Sequence, residues 1–204
     1  MTEDEALAWV DAHVDVSRGT LLRQFVHLLI DESERQNLVS ATSLRYIWAR
    51  HIVDSAQLLP LGSAAPGTWV DIGTGAGFPG MVIAILTERP VVLIEPRRMR
   101  ATFLENAAAA LGLNERVTVI GARAQSYRGT AAVISARAVA ALNDLLALGL
   151  HLSTAKTTWI LPKGPRAVEE VADARHSWHG VFHVEQSITD PQSLIIIAKG
   201  VSRR

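Results

Sequence analysis

The chain has no cysteine among its 204 residues. That excludes disulfides, thiolate metal sites and any mechanism that runs through a cysteine nucleophile. No apolar run approaches the length of a membrane span, and Met1-Thr2-Glu3-Asp4-Glu5 reverses the basic start of a signal peptide. The expectation is a cytoplasmic protein with no membrane contact. The chain also has no net charge, since 20 basic and 20 acidic side chains cancel. Neutrality argues against a surface that binds nucleic acid everywhere. The cancellation is uneven, however. Residues 1–34 hold two basic and eight acidic side chains, residues 35–137 eleven and six, and residues 138–204 seven and six. Most of the cations are arginine, whose planar fork suits phosphate and stacks on bases. Charge alone leaves a solvated face and a phosphate-binding face equally open. Internal repeats and low-complexity segments are missing too. With 49% hydrophobic residues the composition is that of one compact globular domain with a full core.

What is present is concentrated in one run, Asp71-Ile72-Gly73-Thr74-Gly75-Ala76-Gly77-Phe78-Pro79-Gly80. Thr68-Trp69-Val70 before it reads as a short buried strand, and Met81 to Leu86 after it as the start of a helix. Gly73, Gly75 and Gly77 let the backbone turn sharply at the strand end and approach a ligand closely. Pro79 suits the first helical turn, where its missing N–H has no partner to lose. Val91-Val92-Leu93-Ile94 is a second strand, and Glu95 at its end can accept from both hydroxyls of a ribose. Gly75 to Gly80 also matches the dinucleotide fingerprint G-x-G-x-x-G, a weak signal alone. Asp71 weighs against it, because a pyrophosphate cradled there meets a like charge. S-adenosylmethionine has no phosphate and carries a cationic amino group, so the same carboxylate favours it. A nicotinamide- or flavin-dependent oxidoreductase remains the alternative.

Around this run the pattern is a helical cap followed by alternating strands and helices. Thr2-x-x-Glu5 fits a capping box opening a first helix, with Leu7, Val10 and Val14 inward. A second apolar helix spans Leu21 to Ile30. Ser43 is the candidate cap of a third, on which Arg50, His51 and Asp54 share a face. Residues 60–67, rich in Pro, Gly and Ser, read as the one linker. Beyond it helices are predicted over 97–112, 139–151 and 166–175, and strands over 117–120, 132–135, 157–161, 180–185 and 193–198. The pattern predicts an α/β fold: a Rossmann-like, mostly parallel seven-stranded sheet with an antiparallel last strand. Residues 1–60 form the N-terminal helical cap and 61–204 the core. Trp69 and Trp159 lie in apolar strands and read as core. His176, His179 and His183 lack a fourth ligand and read as surface residues rather than zinc ligands, so no metal is expected.

The chain resembles the RsmG (GidB) family of bacterial 16S rRNA guanine-N7 methyltransferases. Asn37-Leu38-Val39, Arg50-His51-Ile52-Val53-Asp54-Ser55, the glycine loop with its Phe78-Pro79-Gly80 ending, Arg100 with Phe103-Leu104, Arg123-Ala124, Ser135-Ala136-Arg137-Ala138 and Leu161-Pro162-Lys163-Gly164 fall in the family's order. The resemblance implies a class I S-adenosylmethionine-dependent fold and methyl transfer to a guanine N7 in the decoding-region loop. The partner it implies is 16S rRNA or the small ribosomal subunit; a monomer is the expectation, although no residue of the chain speaks to oligomeric state. It implies a cofactor site at Asp71, Gly73, Gly75, Gly77, Phe78, Glu95, Ala124, Gln125 and Arg137. It also implies a phosphate-binding role for Lys163; Arg97, Arg98 and Arg100, at the start of the helix after Glu95, are candidates to bind rRNA phosphates, with a solvated face equally open. The family usually has an acid where this chain has Gln125, whose carbonyl can still accept from an adenine amine.

No nucleophile–base–orienter set is visible, nor the Asp/Asn-Pro-Pro-aromatic motif of amino-group methyltransferases. Guanine N7 has an in-plane lone pair and no proton, so attack there needs alignment rather than a base. Arg137 is the expected positioning residue at the reacting centre, with a structural ion pair as the plainer alternative. For His51 the plainer reading is an imidazole bonded to Asp54 that fixes the cap on the sheet. A non-catalytic RNA-binding or ribosome assembly factor keeping this fold is the remaining alternative.

Overall fold

The computed structural model describes residues 1–204. Helices α1 (Glu3–His13) and α2 (Val16–Ser33) begin the cap. Thr2 accepts from Glu5 N while Glu5 accepts from Thr2 N, so the capping box forms. Short α3 (Ala41–Leu44) is capped by Ser40, not Ser43; Ser43 N is the donor that Ser40 Oγ satisfies. The expected third helix is instead a π-helical turn, Trp48–Val53, running into α4 (Asp54–Ala56). The presumed linker also gains a helical turn, α5 (Leu59–Gly62), because Pro60 falls in its first turn where no donor is needed.

The core alternates β1 (Trp69–Ile72), α6 (Gly80–Leu86), β2 (Val91–Ile94), α7 (Arg98–Ala110), β3 (Val117–Ile120), β4 (Val133–Ser135), α8 (Leu142–Gly149), β5 (Thr158–Lys163) and α9 (Ala167–Ala174). It ends in the hairpin β6 (Trp178–Gln186) and β7 (Leu194–Arg203). The seven strands lie in the order β3-β2-β1-β4-β5-β7-β6. β3, β2, β1, β4 and β5 pair in parallel, and β7 runs antiparallel to both neighbours. Order reverses between β1 and β4, and the crevice at the C-terminal ends of those strands is where such sheets receive ligands.

Alternation along each strand divides the core between two faces. Trp69, Leu93, Val133 and Ile160 join α1, α2, α6 and α7 in one apolar cluster. Val70, Ile72, Ile134 and Trp159 join α8 and α9 in the other. Asp71 shares the cap-side face with Trp69, in the middle of the sheet, and is fully buried.

That buried carboxylate is why α6 starts where it does. Its Oδ2 accepts from Gly80 N at 2.9 Å, satisfying a helix N-terminal donor. A Cβ on Gly80 would overlap Leu93 and stand 2.7 Å from Asp71 Oδ2. Gly80→Ala is therefore expected to lower stability by about 1–3 kcal/mol, the usual range for overpacking. An unchanged urea midpoint and slope would show that α6 is free to move away from β1.

Candidate active site

Three strand ends build the site. β1 delivers Asp71 and the glycine turn. Gly73 has φ 68 and Gly75 φ 62, both left-handed, and a Cβ on Gly73 would stand 2.7 Å from Val139 Cγ2. Gly77, at φ 102, also has a backbone that favours glycine, and it has a packing role besides. Its missing side chain makes room for Phe25 and Leu104, so it packs the loop on the cap-side core. Phe78 is buried as well, edge-on to Phe25 and stacked on His51 with ring centroids 4.7 Å apart.

Asp71 faces inward rather than into the turn. Trp69 Nε1 donates to Ser135 Oγ at 2.8 Å, and Ser135 Oγ donates to Asp71 Oδ1 at 2.7 Å. With Gly80 on the other oxygen, the carboxylate joins β1, β4 and α6. Burial pushes its pKa up to about 6, against the pull of Ser135, Thr74, Gly80 and the Arg137 charge. At neutral pH it is ionised, directly beneath the glycine turn.

β2 delivers Glu95, which is 4% exposed. Its Oε2 accepts from Gly75 N at 3.0 Å and its Oε1 from Arg97 N at 2.9 Å. A carboxylate has about four lone-pair sites, so each oxygen keeps capacity for one more donor. Beyond β3, Ala124 is buried in a 3₁₀ turn and Gln125 beside it is exposed.

β4 delivers Arg137, followed by Ala138 at φ 57, a strained conformation for a residue with a Cβ. The turn sends the guanidinium into the cap. Nη1 donates to Asp54 Oδ2 at 2.8 Å and Arg50 O at 2.9 Å, and Nη2 lies 2.6 Å from His51 Nδ1. Arg137 therefore sits in the ion pair that was its plainer reading, above the Phe78 ring at 5.4 Å. His51 bonds Arg137, not Asp54. Since the guanidinium only donates, Nδ1 accepts and the ring proton sits on Nε2, which is buried without a partner. Burial, then the charges of Arg137 and Arg50, depress the His51 pKa to about 3.

Other expected residues separate into two groups. Arg97 and Arg98 are exposed and form no ion pair, whereas Arg100 is half-buried and donates to Asn37 O at 3.2 Å. Lys163 is tied down, not free for phosphate: Nζ lies 2.8 Å from Glu170 Oε2 and from Ala140 O. In the acidic first segment, Glu3 accepts from Trp48 N and Ala49 N at the start of the π-helical turn. His176, His179 and His183 are exposed, and His183 lies 3.5 Å from Glu185.

Sequence reasoning missed Ser135, Glu3 and the β6–β7 turn. In that turn Thr189 donates to Asp54 Oδ1 at 3.1 Å, and Gln57 exchanges hydrogen bonds with Ser187 and Ile188. None of the three carried a sequence signal for its role: Ser135 meets Asp71 only through the register of β4 on β1.

The profile of the rRNA small subunit methyltransferase G family matches residues 18–193. The chain belongs to this family. It is 49% identical over 205 residues to ribosomal RNA small subunit methyltransferase G of Novosphingobium aromaticivorans, covering 98% of this chain and 89% of that one. It is 47% identical over 209 residues to that of Rhizorhabdus wittichii, covering 100% and 95%. Two solved structures share the fold at low identity. A methyltransferase from Geobacter sulfurreducens gives TM-score 0.60 at 13% identity, covering 94% of this chain and 93% of that one. An O-methyltransferase from Bacillus cereus, in complex with SAH, gives 0.60 at 14%, covering 94% and 96%. The fold is thus that of the class I methyltransferases.

The two shifted groups work against each other as pH changes. Asp71 holds a proton in the folded state that the unfolded chain has released, so its contribution falls as pH rises from about 4 to about 6. His51 is the reverse: its contribution is full above about 6.5 and is lost as pH falls towards 3. Between about pH 4 and 6 the slopes oppose, each at about 1.4 kcal/mol per pH unit. Relative to the parent, Asp71→Asn should make stability rise more steeply with pH in that window, and His51→Gln should make it fall. Parallel urea-derived curves for all three proteins would show that neither group leaves its ordinary range.

Proposed function

We propose that this chain methylates small-subunit rRNA with S-adenosylmethionine, at N7 of a guanine in the decoding-region loop. What supports the reading most is the charge arrangement at the crevice. An ionised carboxylate lies beneath the glycine turn, and exposed arginines without ion pairs follow the C-terminal ends of β2 (Arg97, Arg98) and β3 (Arg123). A cationic cofactor and a polyanionic substrate fit that arrangement. A dinucleotide pyrophosphate does not, because it would rest on the Asp71 charge.

The residues present fit the cofactor. Glu95 keeps lone pairs for ribose hydroxyls. Asp71 attracts the ammonium through the loop rather than by contact, since both its oxygens bond protein donors. Ala124 and Gln125 meet the adenine, and Gln125 contributes an uncharged acceptor. When bound, S-adenosylmethionine supplies a methyl on a cationic sulfur, and the electron pair of the breaking bond returns to that sulfur.

The chain's own contribution is alignment and charge control. Guanine N7 carries no proton, so no residue must remove one. The guanine becomes cationic as N7 is methylated, and a bare arginine nearby would oppose that. Asp54 neutralises Arg137, so the pair can stand beside the base without that penalty. Three of the five Arg137 donors are spent on Asp54, Arg50 and His51. The remaining two can meet guanine O6 while N7 stays open. Arg97 and Arg98 take phosphates. We also propose that the cap (1–60) and core (61–204) act as one body in a cytoplasmic monomer.

The test is incubation with small ribosomal subunits lacking the modification and S-adenosylmethionine labelled in its methyl group. The label should appear as N7-methylguanine in 16S rRNA. Arg137→Ala should lose at least a hundredfold in rate, roughly the penalty of misalignment, with most RNA affinity retained. Label in another base, or none, contradicts the reading. A normal rate for Arg137→Ala would confine that residue to its ion pair.

A further inference from the structure

Two clefts adjoin at the Arg137–Asp54 pair, and both are walled by Asp54 and Ser193. One, about 350 Å³, holds Arg137 and Lys163 and opens on the ends of β4 and β5, where the target guanine of the proposed reaction belongs. The other, about 500 Å³, lies between the cap and the β6–β7 turn, and the reaction just described does not use it. Its walls include Tyr46, Arg50 and Asp190.

The chemistry of this second cleft is specific. Tyr46 is 49% exposed, so much of its ring is open to the cleft. Arg50 is exposed and its guanidinium forms neither an ion pair nor a hydrogen bond, although its carbonyl is bonded to Arg137. Asp190 is exposed; its Oδ1 accepts from Gln192 N and its Oδ2 from Ser193 Oγ at 3.5 Å, which leaves spare lone pairs on both oxygens. A stacking ring, a free guanidinium and a carboxylate with spare lone pairs in one groove suit a base, its phosphate and its exocyclic amine. The volume falls in the range of small-ligand sites.

We propose that this cleft binds one unstacked nucleotide of the rRNA next to the methylated guanine. The base stacks on Tyr46, the phosphate meets Arg50, and an amine on the base donates to Asp190. This rests on the rRNA reading above. Because Asp54 and Ser193 line both clefts, the second nucleotide fixes how far the neighbouring guanine reaches towards Arg137. The cleft thus contributes to choosing which guanine is methylated.

The experiment uses the full chain and small ribosomal subunits lacking the modification. Tyr46→Ala should raise KM for subunits about tenfold, within the span expected for one lost base stack, and Tyr46→Phe should restore it. S-adenosylhomocysteine affinity and the thermal midpoint should stay unchanged, because Tyr46 lies outside the cofactor loop and the core. A photoreactive phenylalanine analogue placed at Tyr46 should cross-link to a nucleotide adjacent to the methylated guanine. An unchanged KM for Tyr46→Ala, or cross-linking to ribosomal protein or remote RNA, overturns the inference while parental methylation leaves the rRNA reading standing. Failure of the parent to methylate the subunits removes the reading and the inference together.

Discussion

A carboxylate buried at the centre of the sheet organises the molecule. Asp71 has no solvent to stabilise its charge, so its oxygens must be met by protein donors. Ser135 and Gly80 supply them, and Trp69 completes the chain from the far side of Ser135. These bonds lock β4 beside β1 and start α6 at the end of the glycine turn. Donors alone do not offset full burial, since the group still titrates near 6. A positive ligand above the turn would relieve what remains. On the proposed reading, the same interaction that positions the loop makes it selective for a cation.

A second cluster holds the cap to that framework. Arg137 leaves β4 through a strained turn and meets Asp54, His51 and Arg50 of the cap. The other oxygen of Asp54 reaches Thr189 in the β6–β7 turn. Sheet, cap and C-terminal hairpin thus converge on one nearly neutral ion pair, with His51 kept uncharged by burial and by the arginines. Removing either charge would strand the other, which is costly in so enclosed a place.

Local pattern made much of the fold legible. β2 and β3 fall where alternation and apolar runs put them, and the Thr2 capping box forms because both of its bonds lie within one turn. Glu95 stands at the end of β2, as the spacing requires. What stayed hidden depends on contacts between distant segments. The π-helical turn at Trp48–Val53 is held open by Glu3, some 45 residues earlier. Lys163 looked free until α9 brought Glu170 to it. His51 and Asp54 share a helix face, but Arg137, arriving from β4, comes between them. The direction in which Asp71 points was hidden too, because a strand-end acid can face a ligand or the core. Only the register of β1 on β4, which sets Ser135 opposite Asp71, decides it.

The account claims above all that Asp71 is a charge prepared for a cation it does not touch. Calorimetric titration with S-adenosylhomocysteine near pH 6, repeated in buffers of different ionisation enthalpy, measures protons exchanged on binding. Binding should release a fraction of a proton, about half when the pH equals the free-state pKa, and Asp71→Asn should abolish that release. Binding with no proton release, or with undiminished release from Asp71→Asn, would contradict the claim.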